Sequence, residues 1–359
     1  MRKHEKIKEK ISNIEIGDYT MKIVCFGEIM ARLNPEGYQR FVQAQKLEIS
    51  YAGGEANVAV SLSNFGKNAS FVTKLPNNDI AKSATRALQC HGVDISDIVY
   101  GGERVGIYFV EKGASQRPSK VIYDRKYSSI STSDKGDFDW KRIFNEASWF
   151  HFTGITPALG DNVADICLDA CKAANSMGIT VSCDINYRNN LWSSKKANEV
   201  MSRLMPYVDV AIANEEDCEK VFDIKAKNTN ITGGTLSHDG YKEVAKTLSD
   251  RFGINKVAIT LRGSISASVN NWAGMLYDKG CYYFSKNYTI NIVDRVGGGD
   301  SFGGALIYAL TENYVPQEAI GFAVAASCLK HTIEHDFNEV TVDEIKKLMT
   351  GDGSGRVQR

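Results

Sequence analysis

The sequence predicts an α/β protein in which a mostly parallel sheet carries helices on both faces. Short apolar runs of about four to eight residues recur along the chain of 359 residues and are typical of buried strands. Between these runs lie stretches with the apolar periodicity of helices. Strands that alternate with helices form βαβ units, and successive units build a parallel sheet.

The strands and helices can be placed along the chain. A helix is expected over 162–178, with its apolar residues on one face and Gly178 as its C-terminal stop, and a second over 241–253 with its stop at Gly253. The predicted strands are 21–27, 69–75, 149–154, 179–186, 209–214 and 256–261.

Two segments interrupt this alternation. Residues 31–55 and about 100–130 contain short alternating stretches, which predict antiparallel strands inserted into the core as a small lid sheet. We expect residues 1–20 to be an extension ahead of the fold, 21–350 to be the folded domain and 351–359 to be a flexible tail.

Composition excludes several classes of protein. Lys plus Arg and Asp plus Glu both number 43, so the formal net charge is zero, which argues against nucleic acid or an anionic membrane as the main partner. The first residues lack the apolar stretch of a signal peptide and no apolar run is long enough to span a bilayer, so we expect a cytoplasmic protein. None of the eight cysteines forms a CxxC pair, and we expect them to be buried, uncharged side chains.

Chemistry is expected where the strands end. In open α/β sheets, ligands bind beyond the carboxyl ends of the strands, and these ends are polar here. The common nucleotide fingerprints GxGxxG and GxxxxGK[ST] are both absent.

The stretch "DRVGGGDSFGGALIYAL" (294–310) is the most distinctive. Its apolar periodicity after Asp300 predicts a helix whose first turn contains three glycines and the acid. The free N–H groups of such a turn favour an anion, and a carboxylate beside them suits a general base that takes a proton from an attacking hydroxyl. A glycine-rich turn with Asp300 as the N-cap is the alternative. In "YAGGEANVAVSL" (51–62), Gly53 and Gly54 allow close approach of a polar ligand and Asn57 can bind hydroxyl groups, although a purely structural turn is also open.

Together, the GGxxxN element near the start and the DxxGxGD element near the end resemble the two signatures of the ribokinase-like (PfkB) carbohydrate kinases. The resemblance runs from about residue 21 to 338 and includes "FGEIMARLNPEG", "FHFTGITPAL", "CDINYRNNLW", "NEEDCEKV" and "LKHTIEHDFN". It implies a three-layer α/β/α fold with a mostly parallel central sheet and an inserted β-sheet lid. It also implies ATP- and Mg²⁺-dependent phosphorylation of a sugar acid, 2-keto-3-deoxygluconate, at its C6 hydroxyl.

The resemblance assigns catalytic roles to the glycine-rich stretch. Asp300 is the expected base, and Gly297, Gly298 and Gly299 are the expected anion hole. Gly298 stands where the family more often has Ala. Arg295 stands where many members have Thr; it could face a nucleotide phosphate or form a surface salt bridge.

For the sugar acid, the resemblance implies a site that holds a carboxylate. Arg125 is the expected carboxylate ligand on the lid side, because a guanidinium can hold a carboxylate bidentately. Arg188 is a second candidate, with contact to the nucleotide phosphates as its alternative role. The full set of expected substrate-binding residues is Gly53, Gly54, Asn57, Tyr108, Tyr123, Arg125 and Arg188.

For the cofactors, the resemblance implies ATP at the later strand ends and Mg²⁺ held mostly through water by Asp217 or Glu216. The expected nucleotide-binding residues are Asn186, Asn214, Thr260, Arg262, Gly263, Ser266 and Asn338.

Alternative functions stay open at this point. One is another kinase of the family, for fructose, ribose or a nucleoside; others are a non-catalytic relative that binds a sugar acid and a nicotinamide dehydrogenase, which the missing GxGxxG disfavours. We expect a homo-oligomer, a dimer or larger, because the inserted lid strands offer an edge for pairing.

Overall fold

A computed structural model of the protein describes residues 22–214, 216–225 and 238–351. The predicted extension 1–20, and the predicted tail after its first residue, lie outside the described residues. The strands are β1 Lys22–Phe26, β2 Met30–Asn34, β3 Glu48–Ala52, β4 Ala69–Val72, β5 Lys74–Leu75, β6 Val99–Tyr100, β7 Gly106–Glu111, β8 Lys120–Asp124, β9 Ala147–Thr153, β10 Thr180–Asp184, β11 Val210–Ala213, β12 Lys256–Ser264, β13 Val269–Asp278, β14 Cys281–Phe284 and β15 Tyr288–Asn291. The helices are α1 Gly54–Asn64, α2 Asp79–Gln89, α3 Trp140–Ile143, α4 Asp161–Ser176, α5 Ser194–Leu204, α6 Asp217–Phe222, α7 His238–Phe252, α8 Gly298–Thr311, α9 Pro316–Lys330 and α10 Val342–Thr350.

The main sheet has nine strands in the described part of the chain. Its order is β14-β13-β12-β11-β10-β9-β1-β4, with β15 also paired to β13. Every pair from β4 to β12 is parallel, whereas β13, β14 and β15 pair in the antiparallel sense. The parallel strands predicted from the sequence are therefore confirmed, except that 69–75 is divided at Thr73 into β4 and β5, and β5 pairs only with β6.

The antiparallel extension β13–β15 was not expected from the sequence. A tight turn joins β13 to β14, and its two central residues, Lys279 and Gly280, have φ angles of +46° and +92°. Two consecutive positive φ angles are typical of a type I′ hairpin turn. The sequence "DKGC" carries this turn, but only its glycine is one of the usual hairpin residues.

Hydrophobic clusters cover both faces of the main sheet. Along β1, Val24 and Phe26 belong to one cluster, whereas Ile23 and Cys25 belong to the other, as the alternation of a strand requires. Helices α3 to α7 pack into the first cluster, and α1, α2, α8, α9 and α10 pack into the second. The three-layer arrangement is confirmed, and no described helix has the length and apolarity needed to cross a membrane.

A separate four-stranded sheet forms the lid, in the order β3-β2-β7-β8. The pairs β2–β3 and β7–β8 are antiparallel as expected, but β2 and β7 run parallel, because the chain passes through the core between β3 and β7. Two cross-strand rows lie on its opposite faces. One row contains Ser50, Arg32, Tyr108 and Tyr123, and the other contains Ile49, Leu33, Phe109 and Ile122.

Candidate active site

A cavity of about 420 Å³ lies between the lid and the carboxyl ends of the parallel strands. Residues at or just beyond the ends of β1, β10, β11 and β12 line it, as do residues of β7 and β8 from the lid. Most of the residues that were predicted from the sequence meet here. They are Gly53, Gly54, Asn57, Tyr108, Tyr123, Arg125, Asn186, Arg188, Asn214, Thr260, Arg262, Gly297, Gly299 and Asp300.

The three consecutive glycines have different surroundings. Gly297 has a φ of +82°, and a Cβ on it would lie 2.1 Å from the carbonyl oxygen of Asp336. A Cβ on Gly298 would lie 2.3 Å from Cε1 of His331. A Cβ on Gly299 would meet nothing within 4 Å. The first two glycines are thus needed for packing, and the third leaves open space at the cavity wall.

Helix α8 begins at this glycine-rich turn. Its N-cap is Gly297, and no side chain caps its first N–H groups. The first N–H groups of a helix have no partner within the helix, and the helix dipole adds partial positive charge there. Because the N-cap is Gly297, Asp300 is not the cap; it lies inside the first turn. The arrangement can bind an anion with a carboxylate beside it.

Asp300 is linked to the other glycine-rich segment across 243 residues of sequence. The Nδ2 atom of Asn57 donates to Oδ2 of Asp300 over 2.6 Å. A Cβ on Gly54 would lie 3.6 Å from Oδ1 of Asp300, so this glycine keeps room beside the carboxylate. Burial raises the pKa of Asp300 to about 6, although the Asn57 hydrogen bond acts in the opposite direction. A carboxylate with this pKa is ionised at neutral pH and can still accept a proton.

Gly53 has a different environment from Gly54. A Cβ on Gly53 would lie 1.8 Å from the carbonyl oxygen of Glu28, so backbone contact requires glycine there. Next in the chain, Glu55 is buried and accepts hydrogen bonds from the Thr153 hydroxyl over 2.8 Å and the Thr156 hydroxyl over 2.6 Å. Burial raises the pKa of Glu55 to about 7. These hydrogen bonds hold the turn after β9 against α1. Glu55 was not predicted as a site residue from the sequence.

A second group of polar residues follows β10. Asn186 has a φ of +41°, a conformation that few residues other than glycine adopt, and its Nδ2 donates to Asp184 over 3.3 Å. Burial raises the pKa of Asp184 well above its usual range, and the nearby carboxylates of Asp217 and Asp300 raise it further. Arg188 lines the cavity, and its positive charge opposes this effect. A cation near Asp184 would likewise offset the repulsion between Asp184 and the carboxylates of Asp217 and Asp300.

The predicted metal ligands lie behind the cavity wall. Asp217 is buried and accepts hydrogen bonds from the backbone N–H groups of Tyr187 over 2.9 Å and Asn214 over 3.1 Å. Glu216 is exposed. Among the described residues, no three His, Cys, Asp or Glu side chains converge as direct metal ligands.

On the lid side, Arg125 is already paired. Its Nε donates to Oε2 of Glu28 over 2.8 Å, and its NH2 contacts the same oxygen. Tyr108 and Tyr123 stack with their ring centroids 6.1 Å apart. The hydroxyl of Tyr108 donates to Asp336 over 2.8 Å. The lid therefore brings two aromatic rings and one guanidinium, which is paired with Glu28, to the cavity.

A buried ionic network joins the lid to the glycine-rich turn. Arg32, on β2, is fully buried and contacts both Asp294 and Asp336. Arg32 was not predicted as a site residue, because an arginine in an alternating strand is usually exposed. Asp294 belongs to the DxxGxGD element. The presence of this acid was the only indication in the sequence that a positively charged side chain had to contact it.

Several predicted residues lie outside the cavity wall. Gly298 lies under His331, as described above. Ser266 accepts hydrogen bonds from the N–H groups of Ser268 and Val269 and so closes the loop between β12 and β13. Asn338 accepts from Asn64 through its carbonyl oxygen. Gly263 lies on β12 opposite Asn271 of β13. The predicted nucleotide contacts of Gly263, Ser266 and Asn338 stay predictions.

Comparison with known proteins gives consistent matches over nearly the whole chain. The chain is 50% identical to the solved structure of 2-dehydro-3-deoxygluconokinase from Thermotoga maritima, with a TM-score of 0.89 and coverage of 93% of this chain and 99% of that one. It is 31% identical to 2-dehydro-3-deoxygalactonokinase from Haloferax volcanii over 336 residues, which are 94% of this chain and 99% of that protein. It is 26% identical to 2-dehydro-3-deoxygluconokinase from Thermoproteus tenax over 322 residues, which are 88% of this chain and 90% of that protein.

The family model for "pfkB family carbohydrate kinase" matches residues 20–334. Two more distant structures with this fold, 18% and 17% identical to the chain, contain ATP. The matched region includes both glycine-rich segments, the lid strands and the strand ends that form the cavity. The chain belongs to the pfkB family of carbohydrate kinases.

Proposed function

We propose that the protein transfers the γ-phosphoryl group of ATP to the C6 hydroxyl of 2-keto-3-deoxygluconate (2-dehydro-3-deoxygluconate), giving 2-keto-3-deoxy-6-phosphogluconate. The observation that carries this proposal is the position of the Asp300 carboxylate. It lies in the first turn of α8, beside uncapped N–H groups and the open face of Gly299, in a cavity lined by arginines. A base next to an anion site is the arrangement that phosphoryl transfer to an alcohol requires.

The chemistry follows from this arrangement. The C6 oxygen forms a bond to the γ-phosphorus while the bond from that phosphorus to the β,γ-bridging oxygen breaks, and ADP leaves. The hydroxyl proton passes to Asp300. The hydrogen bond from Asn57 holds one oxygen of Asp300 and leaves the other available to the hydroxyl. The N–H groups at the start of α8 stabilise the negative charge on the transferring group.

Magnesium supplies positive charge that neutralises the ATP phosphates during this transfer. We place it in water-mediated contact with Asp217 or Glu216, with Asp184 as the carboxylate that reaches the cavity wall. The raised pKa of Asp184, caused by burial and neighbouring acids, supports a cation at this position. Asn186, Asn214, Thr260 and Arg262 form the wall along which the nucleotide would lie.

The sugar-acid substrate is supported by the lid residues and by the names of the relatives. Arg125 and Arg188 both line the cavity and can bind a carboxylate. Relatives carry the names of gluco and galacto sugar-acid kinases, whose substrates differ at one hydroxyl. Because one hydrogen bond can discriminate between such epimers, 2-keto-3-deoxygalactonate is the second candidate substrate.

A coupled assay of ADP release tests the proposal. Wild-type protein is assayed with both sugar-acid epimers, fructose, ribose and adenosine. We expect turnover with a sugar acid and little with the neutral sugars. Turnover of fructose, ribose or adenosine alone would support another kinase of the family, and no turnover of any acceptor would support a non-catalytic role.

The variant Asp300→Asn tests the base. We expect kcat to fall by about 10²–10⁴-fold, because the proton acceptor is lost, while the dissociation constant for ADP changes little. Asp343→Asn is the matched control, because Asp343 also lies in the first turn of a helix but is exposed on α10. Wild-type turnover in Asp300→Asn would refute the assignment of Asp300 as the base.

A further inference from the structure

One end of the active-site cavity carries two arginines. Arg262 and Arg295 both line the cavity. Neither forms a salt bridge with any described residue. The acid next to Arg295 in the chain, Asp294, is bound by Arg32. Two neighbouring guanidinium groups repel each other, and an anion that binds both would relieve this repulsion.

A hydrogen bond to a backbone carbonyl group orients Arg295. Its NH2 donates to the carbonyl oxygen of Ala267 over 3.1 Å. Burial lowers the pKa of Arg295, the positive charge of Arg262 lowers it further, and the negative charge of Asp294 opposes both effects. The surface salt bridge considered for Arg295 from the sequence is therefore absent among the described residues. The side chain instead lies near the positive charge of Arg262.

Contacts connect this region to the anion hole. Arg262 on β12 lies directly opposite Trp272 on β13. The ring of Trp272 lies 4.9 Å from the ring of His331, measured between centroids. His331 in turn occupies the space above Gly298. The two arginines, the indole and the imidazole thus surround one end of the cavity, next to the start of α8.

An unsatisfied polar atom in the same region supports a ligand. The Nε1 atom of Trp272 is buried without a hydrogen-bond partner, although Trp272 lines the cavity. The Nδ1 atom of His331 lies 2.6 Å from the carbonyl oxygen of Ser327, which requires the proton on Nδ1 and leaves Nε2 as an acceptor. Burial lowers the pKa of His331 to about 4, so the ring is neutral at neutral pH. The positive charge here comes from the two arginines.

We propose that Arg262 and Arg295 form a two-guanidinium clamp for the polyphosphate of the nucleotide, and that Arg295 makes binding depend on the number of phosphates. The inference rests on the proposed function, since it assigns the residues that hold the phosphoryl donor. A guanidinium binds two phosphate oxygens at once, so a pair of them suits a diphosphate or triphosphate chain far better than a single phosphate.

Binding measurements on variants test the clamp. Dissociation constants for ADP and AMP are measured by calorimetry for wild type, Arg295→Met, Arg262→Met and Arg295→Lys. We expect each Met variant to weaken ADP binding by about tenfold or more, which corresponds to about 1.4 kcal/mol, and to leave AMP binding nearly unchanged. Arg295→Lys should lie between wild type and Arg295→Met, because it keeps the charge but loses the bidentate geometry.

The controls separate this inference from the proposed function. Arg86→Met removes an exposed arginine of α2 and should bind both nucleotides as wild type does. Inorganic tripolyphosphate should compete with ADP on wild type and fail to compete on Arg295→Met. Circular dichroism and thermal unfolding check that each variant is folded.

Two results would overturn the clamp. If wild type phosphorylates a sugar acid and folded Arg295→Met keeps the wild-type ratio of ADP to AMP affinity, the clamp is refuted while the proposed function stands. If wild-type protein binds neither ADP nor ATP, both are refuted. An increase in the KM for ATP without a change in the KM for the sugar acid would support the clamp further.

Discussion

Gly298→Ala is expected to destabilise the protein. The added methyl group would lie 2.3 Å from Cε1 and 2.6 Å from Nε2 of His331. These separations are well below van der Waals contact, so the imidazole ring would have to move. As long as His331 occupies this position, residue 298 has to be glycine.

The size of the effect follows from how firmly the ring is held. His331 is bonded through Nδ1 to Ser327 and packs on Trp272, while the Ser327 hydroxyl donates to the carbonyl oxygen of Gly298 over 2.7 Å. Overpacking a site that cannot relax costs up to about 3 kcal/mol. Replacing glycine in a helix by alanine stabilises the folded state by up to about 1 kcal/mol. We expect a net loss of about 2 kcal/mol in the free energy of unfolding.

Urea unfolding followed by fluorescence and circular dichroism measures this loss. Gly299→Ala is the stability control, because a Cβ there meets nothing within 4 Å, and we expect a change within about 0.5 kcal/mol. In the His331→Ala background, Gly298→Ala should cost much less free energy of unfolding than it does in wild type, because the methyl group then has room. The steric argument is wrong if Gly298→Ala is as stable as wild type, or if removal of the imidazole ring gives no relief.

Three further predictions concern the base, the sugar carboxylate and the assembly. Since burial raises the pKa of Asp300 to about 6 and the base must be unprotonated, kcat/KM should fall as pH drops below about 6. Asn57→Ala should move this inflection to higher pH, because the Asn57 hydrogen bond favours the ionised form; a pH–rate profile of both proteins checks this. Arg125→Lys keeps a charge opposite Glu28 but loses bidentate geometry, so the KM for the sugar acid should rise about tenfold while that for a neutral sugar stays the same; equal changes for both sugars would contradict a carboxylate contact. The apolar row of the lid sheet includes Ile122, which is 44% exposed on the edge strand β8. We therefore expect a dimer through the lid sheet that Ile122→Lys converts to a monomer, as measured by light scattering after gel filtration. An unchanged mass would place any interface elsewhere.

Much of the core could be predicted because its pattern is local. The parallel strands are short apolar runs, and α4 buries Val163, Ile166, Cys167 and Ala170 on one face as their spacing predicts. The antiparallel extension β13–β15 escaped prediction, since its strands mix polar and apolar residues and its turn lacks an Asn-Gly or Asp-Gly pair. The parallel pairing of β2 with β7 also escaped, because it depends on the path of the chain through the core between them.

Glycine content and apolar periodicity are properties of neighbouring residues, so they predict that glycine-rich turns with Asn57 and Asp300 begin two helices. The folded structure is needed to see that Asn57 donates to Asp300, that Arg32 lies between Asp294 and Asp336, and that the ring of His331 explains Gly298. These contacts join residues far apart in the chain. Their geometry is set by how helices and lid strands pack on the sheet, and no local pattern records it.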